Sequence, residues 1–129
     1  MTIAWLFDDE RSLDVEGVMT EVMTGGAYVP ALWRLEVANV LRIACRRGRC
    51  DRAYAERSLR RLERMPITVD DQGDGAAWNA VWTLALAENL TLYDAAYLEL
   101  ALRRGLPLAS GDAALISAAV RRGVTALVP

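Results

Sequence analysis

The chain contains no histidine and no lysine, only two cysteines and a single phenylalanine. The missing histidine excludes Ser-His-Asp and Cys-His catalysis, histidine general-base chemistry and Cys/His zinc sites. Cys45 and Cys50 are too few for a tetrahedral Cys₄ site and read as two reduced thiols on or near one helix. No apolar run reaches the roughly 18 residues that span a bilayer. The N-terminus lacks a basic region and turns acidic at Asp8-Asp9-Glu10, so it does not read as a signal peptide. The expected address is the cytoplasm, with no membrane partner. Carboxylates, hydroxyls or an oxygen-held metal are left to carry any catalysis.

Charge is present but unevenly spread. The 129 residues carry a net charge of −2 and read as a single domain. Residues 1–30 hold one arginine against six acids, whereas residues 31–65 hold ten arginines against four acids. A concentrated basic segment in an acidic protein points toward a polyanionic partner. Codon bias alone also yields an all-arginine chain. On the segment from Arg42 to Arg64, mixing Arg57, Arg60, Arg61 and Arg64 with Glu56 and Glu63 equally suits a solvated face with i,i+3 and i,i+4 pairs. Arg42, Arg46 and Arg47 are the arginines marked for RNA or partner contact.

Local signals divide the chain into alternating elements. A helical stub ends at Asp8-Asp9-Glu10, which read as a solvated helix end. Ser12 caps a helix over 13–24, stopped by Gly25-Gly26. Residues 27–29 form a strand, and Pro30 opens a helix over 31–47 that ends at Gly48. Asp51 caps a helix over 52–64, Met65-Pro66 breaks it, and residues 67–69 form a second strand. Asp70, Asp71 and Asp74 read as loop and cap acids before a helix over 75–88, with Asn89 as its stop. A further helix runs from Thr91 or Tyr93 to Arg104, then a strand over 106–110, a helix to Arg122 and a strand over 124–128. Short apolar strands separated by long helices imply an α/β fold: a parallel sheet covered on both faces, with ligands gathered at the carboxyl ends of the strands. Trp33, Trp78 and Trp82 lie at helical spacing and read as core or interface residues rather than base-stacking platforms.

The stretch Pro30 to Leu41 is the unusual one. At 100° per residue, Leu32, Leu35, Glu36, Asn39, Val40 and Ile43 share one face, so a carboxylate and an amide interrupt an apolar stripe. A buried carboxylate there needs a cation, a metal or a hydrogen-bond network. Asp94, in the first turn of its helix and on the face of Tyr97, Leu98 and Ala101, and Asp112, after a strand, are further carboxylates where such sheets place sites. Clustered carboxylates without histidine favour Mg²⁺ or Mn²⁺. Each acid also has a structural reading: Glu36 as a buried pair with an arginine, Asp94 as a complement to the helix dipole, Asp112 as an N-cap.

Four stretches together carry a family likeness. They are Ile3-Ala4-Trp5-Leu6-Phe7-Asp8-Asp9-Glu10; Val29-Pro30 through Glu36-Val37-Ala38-Asn39-Val40-Leu41; Leu92-Tyr93-Asp94-Ala95-Ala96-Tyr97-Leu98; and Leu108-Ala109-Ser110-Gly111-Asp112 with Leu115 and Ala118-Ala119. In order and spacing the chain resembles PIN-domain ribonucleases, most closely the VapC-like toxins of type II toxin–antitoxin pairs. The resemblance implies a three-layer α/β/α sandwich that cleaves RNA with Mg²⁺ or Mn²⁺, forms homodimers and is covered by a cognate antitoxin. It implies Glu36, Asp94 and Asp112 as catalytic metal ligands, with Ser110 near the site and Asn39 behind it. The family's fourth acid ends a strand that the resemblance sets before Met1. The chain is therefore expected to lack that strand and its Asp, with Met1 replacing a Val read as an alternative start codon. The rival expectation is an incomplete module that binds antitoxin or dimerises without turnover.

Overall fold

The computed structural model describes residues 13–128, with side-chain surroundings given from residue 15 onward. The expected stub at 8–10, the Ser12 cap and the stretch Ile3–Glu10 lie outside the described residues. Helix α1 (Leu13–Gly25) leads to strand β1 (Ala27–Val29), α2 (Leu32–Arg46), α3 (Arg52–Glu63) and β2 (Ile67–Val69). After a 3₁₀ turn and a π turn come α4 (Trp82–Glu88), α5 (Leu92–Arg104), β3 (Leu108–Ala109), α6 (Ala113–Arg121) and β4 (Ala126–Leu127).

The helix boundaries follow their caps. Asp51 accepts the Tyr54 amide at 2.8 Å, Thr91 accepts that of Asp94 at 3.1 Å, and Asp112 accepts that of Leu115 at 2.9 Å. Each satisfies one of the donors a helix start leaves open. Gly26 ends α1 at φ +78°, with its amide on Val22 O, and a Cβ there would meet Pro66 O at 3.2 Å. Only glycine takes that conformation and that close approach without strain.

Three expectations are corrected. The helix over 75–88 opens instead as a 3₁₀ turn (Asp74–Ala76) and a π turn (Ala77–Val81), where Gly73 and Gly75 weaken the first turn. The strand over 106–110 contracts to Leu108–Ala109, since Pro107 has no amide to give a ladder. The apolar stripe chosen on α2 is not its buried one. Val37, Leu41 and Ala44 are buried, with Trp33 packed against them, whereas Leu35 is 77 % exposed and Glu36, Val40 and Ile43 lie outside the core. The helix carries two apolar stripes, and the one facing α1 and α3 wins. Trp78 is 91 % exposed, so it is no core residue, and Trp82 is half-exposed.

Two cores result. Val15, Val18 and Val22 of α1 meet Val37 and Leu41 of α2 and Leu62 of α3. Leu98 and Ala101 of α5 meet Leu108, Leu115, Ala118 and Ala119 in the other, where Leu98, Ala118 and Ala119 are fully buried. Burial of a leucine of this kind contributes about 2 kcal/mol. The strands are parallel, as expected, but among the described residues they form two pairs rather than one sheet. Ala27, Tyr28 and Val29 register with Ile67, Thr68 and Val69, and Leu108 and Ala109 with Ala126 and Leu127. Helix α5 packs on both β1 and β3 and so bridges the pairs.

One polar knot fixes that bridge. Asp70, just past β2, has a side chain with no exposed surface. Arg103 donates to both its oxygens at 2.7 and 3.1 Å, Arg104 at 3.0 Å, and the Gly73 amide at 2.7 Å. Its own amide reaches Val29 O at 2.8 Å, and Arg104 lies 4.0 Å above the Tyr28 ring. Asp70, expected to be a loop or cap acid, is the buried ion-pair hub that ties the C-terminal end of α5 to both β1 and β2.

Candidate acidic site

A groove of about 610 Å³ runs between β1 and β3, and Glu36, Asp94, Tyr97 and Ser110 help to line it. Glu36 comes from α2, directly after β1, and Asp112 caps α6, directly after β3. Asp94 comes from the first turn of α5, the helix that bridges the two strand pairs.

The three acids differ in their surroundings. Glu36 is exposed, and its Oε1 accepts the Tyr97 hydroxyl at 2.6 Å. The carboxylate is therefore not the buried one that the helix periodicity implied, and its hydrogen-bond partner is a phenol rather than an arginine. Burial, the bond to Glu36 and the nearby Asp94 charge all hold the Tyr97 hydroxyl well above its ordinary range. It therefore stays protonated and donates. Asp94 is half-buried. Burial first, then the like charge of Asp112, raises its carboxyl above the usual carboxylate range, against a smaller opposing effect of the Thr91 hydroxyl. Asp112 is exposed, and its Oδ1 holds the Leu115 amide at 2.9 Å. Ser110 Oγ accepts the Asp112 amide at 3.0 Å and so braces the turn that presents the carboxylate.

The structure thus couples Asp94 to Asp112 by charge and Glu36 to Asp94 through Tyr97, one turn along α5. Tyr97 is the site residue that the sequence reading left unassigned, although its i,i+3 spacing from Asp94 put it on the same face. Asn39 is exposed on α2, and no hydrogen bond joins it to the three carboxylates among the described residues. Arg42, Arg46 and Arg47 are exposed at the far half of α2. At 1.5 Å per residue, Arg46 lies about 15 Å along the helix from Glu36.

The donor set fits a hard divalent cation in chemistry: all oxygen, no nitrogen or sulfur, with burial and the like charge of Asp112 raising the proton affinity of Asp94. The fit in number is incomplete, for among the described residues no three Asp, Glu, Cys or His side chains gather closely enough to hold one ion.

Parallel strand pairs flanked by helices, with carboxylates on the elements that follow the strands, define a PIN-like α/β/α fold. The PIN domain family model matches residues 2–121, and the chain belongs to that family. PIN domains are in general nucleases, that is, hydrolases of phosphodiesters. No curated protein matches the chain. Among the described residues, no helix is long and apolar enough to cross a membrane.

Proposed function

We propose that this chain is a metal-dependent endoribonuclease of the VapC-like toxin class. The supporting observation is the Asp94–Asp112 pair beside the groove of a PIN domain, where a like charge and burial raise the Asp94 carboxyl. Asp94 and Asp112, with Glu36, would hold a Mg²⁺ or Mn²⁺ ion. Such an ion supplies an activated water and neutralises charge growing on the phosphodiester. The chain's own residues orient the site. Tyr97 donates to Glu36 and fixes its carboxylate, the α6 cap fixes Asp112, and Ser110 steadies the turn before it. Without a cation, protonation of Asp94 relieves the repulsion from Asp112.

RNA is the proposed substrate, with Arg42, Arg46 and Arg47 as candidate contacts to RNA or partner. A cognate antitoxin over the groove and a homodimer are the proposed partners. The exposed apolar residues Leu35, Val40, Trp78 and Trp82 are available to such contacts.

A specific observation favours a second reading, a PIN module that binds antitoxin or dimerises without turnover. Among the described residues, the acids do not gather three to an ion and the strands stand as two separate pairs. One assay separates the readings. The 129-residue chain and a version extended by the in-frame codons upstream of Met1 are compared on RNA, DNA and small phosphate esters, with and without Mg²⁺. Cleavage of RNA by either version, abolished in Asp94→Asn, supports the nuclease. Cleavage undiminished in Asp94→Asn overturns the site. If both versions are inert and still bind antitoxin or dimerise, the second reading stands.

A further inference from the structure

We infer that Cys45 and Cys50 form a reversible oxidation site, closing an intramolecular disulfide with a peroxide as oxidant. The two sulfurs lie 3.5 Å apart in hydrogen-bond contact, and both side chains are half-buried against the first core. They are therefore neither sealed from a small oxidant nor free to wander.

The backbone holds them in this position. Helix α2 ends in a double-bonded cap: the Gly48 amide donates to Cys45 O at 3.1 Å and the Arg49 amide to Ala44 O at 2.9 Å. Gly48 takes φ +74° to make the reversal, which is the Schellman stop favoured by glycine. This turn carries Cys50 back toward the last turn of α2. The Cys45 thiol also donates to Asp51 O at 3.5 Å, at the residue whose side chain caps α3. Both ends of the turn are thus anchored by helix caps, and the sulfurs face each other across it. Five residues of separation bring two thiols together only when a turn of this kind is fixed.

The surroundings divide the labour. Burial and the neighbouring Cys45 raise the Cys50 thiol, with Arg49 opposing more weakly. Cys50 is accordingly the thiol that ionises less readily and suits the second step. Arg46, Arg47 and Arg49 neighbour the two cysteines in sequence, and it is the thiolate form of a cysteine that attacks. The Cys45 thiolate attacks one peroxide oxygen, the O–O bond breaks, and the leaving oxygen departs as water after taking a proton. The resulting sulfenic acid is attacked by the Cys50 sulfur. The S–S bond forms, the S–O bond breaks, and the hydroxyl leaves as a second water with the Cys50 proton. Two thiols lose two electrons in total and the peroxide gains them.

The inference is independent of any nuclease activity, and its test reads sulfur chemistry alone. The reduced chain is treated with stoichiometric hydrogen peroxide, once folded and once in urea, and followed by intact mass, thiol titration and non-reducing electrophoresis. The folded chain should lose both thiols, become lighter by two hydrogens, remain monomeric and recover on reduction by dithiothreitol. The same change should be slower in urea. Cys45→Ser and Cys50→Ser should each lose the product, with Cys45→Ser leaving Cys50 the slower to react. Persistence of both thiols, addition of oxygen without loss of hydrogens, a disulfide between chains, or equal rates folded and in urea would each overturn the inference.

Discussion

Replacing Asp70 by asparagine should destabilise the protein by about 3 kcal/mol. Removal of one partner from a buried ion pair costs about 3–5 kcal/mol, because the remaining charge is left without its counter-charge. Two features favour the low end. The arginine side chains keep 26 % and 28 % of their surface exposed, so water recovers part of the loss. Arg103 also retains Glu99 at 2.8 Å and Gln72 at 3.2 Å. Arg104 keeps only its contact with Tyr28 among the partners described above. With about 2.1 cal/mol/K of unfolding entropy per residue over 129 residues, 3 kcal/mol lowers the melting temperature by about 11 °C. Thermal and urea unfolding by circular dichroism measure both quantities. The pH dependence supplies a second check. The Arg103 hydrogen bond, with further bonds from Arg104 and the Gly73 amide, holds the Asp70 carboxyl far below its ordinary range despite its burial. The folded value is depressed, so this stabilisation is fully present above the unfolded aspartate value of about 3.9 and fades as pH falls below it. The gap between wild type and Asp70→Asn should therefore begin to narrow as pH falls below about 3.9 and continue to narrow on further acidification, closing only well below about pH 3. A loss under about 1 kcal/mol at neutral pH, or a gap that stays constant on acidification, would refute the reasoning.

Other perturbations test other parts of the molecule. Asp94→Asn should raise the melting temperature in chelator by ~2 °C, about 0.5 kcal/mol, because it removes repulsion from Asp112; thermal scans with and without Mg²⁺ should also show that the variant loses the shift Mg²⁺ gives the wild type. Since the Asp94 carboxyl is raised in the folded state, its repulsion is absent at low pH and grows as pH rises through the carboxylate range, so the Asp94→Asn advantage should vanish in acid. Tyr97→Phe should cost about 1 kcal/mol in urea unfolding by removing the 2.6 Å bond to Glu36, and should weaken Mg²⁺-dependent RNA cleavage in whichever version cleaves. Gly26→Ala should cost about 2 kcal/mol in the same assay, since it combines a left-handed φ with a 3.2 Å approach to Pro66 O.

Punctuation was the most legible layer of the sequence. Asp51, Thr91 and Asp112 cap where side-chain chemistry says they should, and residues 27–29 and 67–69 are strands as read. These are local effects, set by one side chain and the next turn. Long-range choices were less legible. Helix α2 offers two apolar stripes, and its own periodicity does not say which faces α1, so Glu36 was assigned to the wrong environment. Asp70 looked like any loop acid because its partners, Arg103 and Arg104, lie more than thirty positions away. Tyr97 was visible only as a helix-face neighbour of Asp94, and its bond to Glu36 bridges sixty-one positions. The separation of the strands into two pairs rests on hydrogen bonds that β1 and β3 do not make to each other, which no single segment encodes.

The acids themselves show how differently electrostatics treats carboxylates in one small domain. Asp70 is deeply buried, yet two guanidinium groups bind it directly, and its ionised form is strongly favoured. It has no spare affinity for a ligand, because two guanidinium groups and an amide already occupy it. Asp94 is less buried, yet burial and the like charge of Asp112 disfavour its ionised form. A cation arriving between Asp94 and Asp112 would therefore be stabilised by both charges and would also remove their repulsion, whereas one arriving at Asp70 would have to displace arginine. Glu88 follows the Asp70 pattern, held low first by Arg122 and then by Arg121. Perturbation alone does not mark a site. A carboxyl raised beside a groove is what the proposed metal site calls for, and Asp94 has both features.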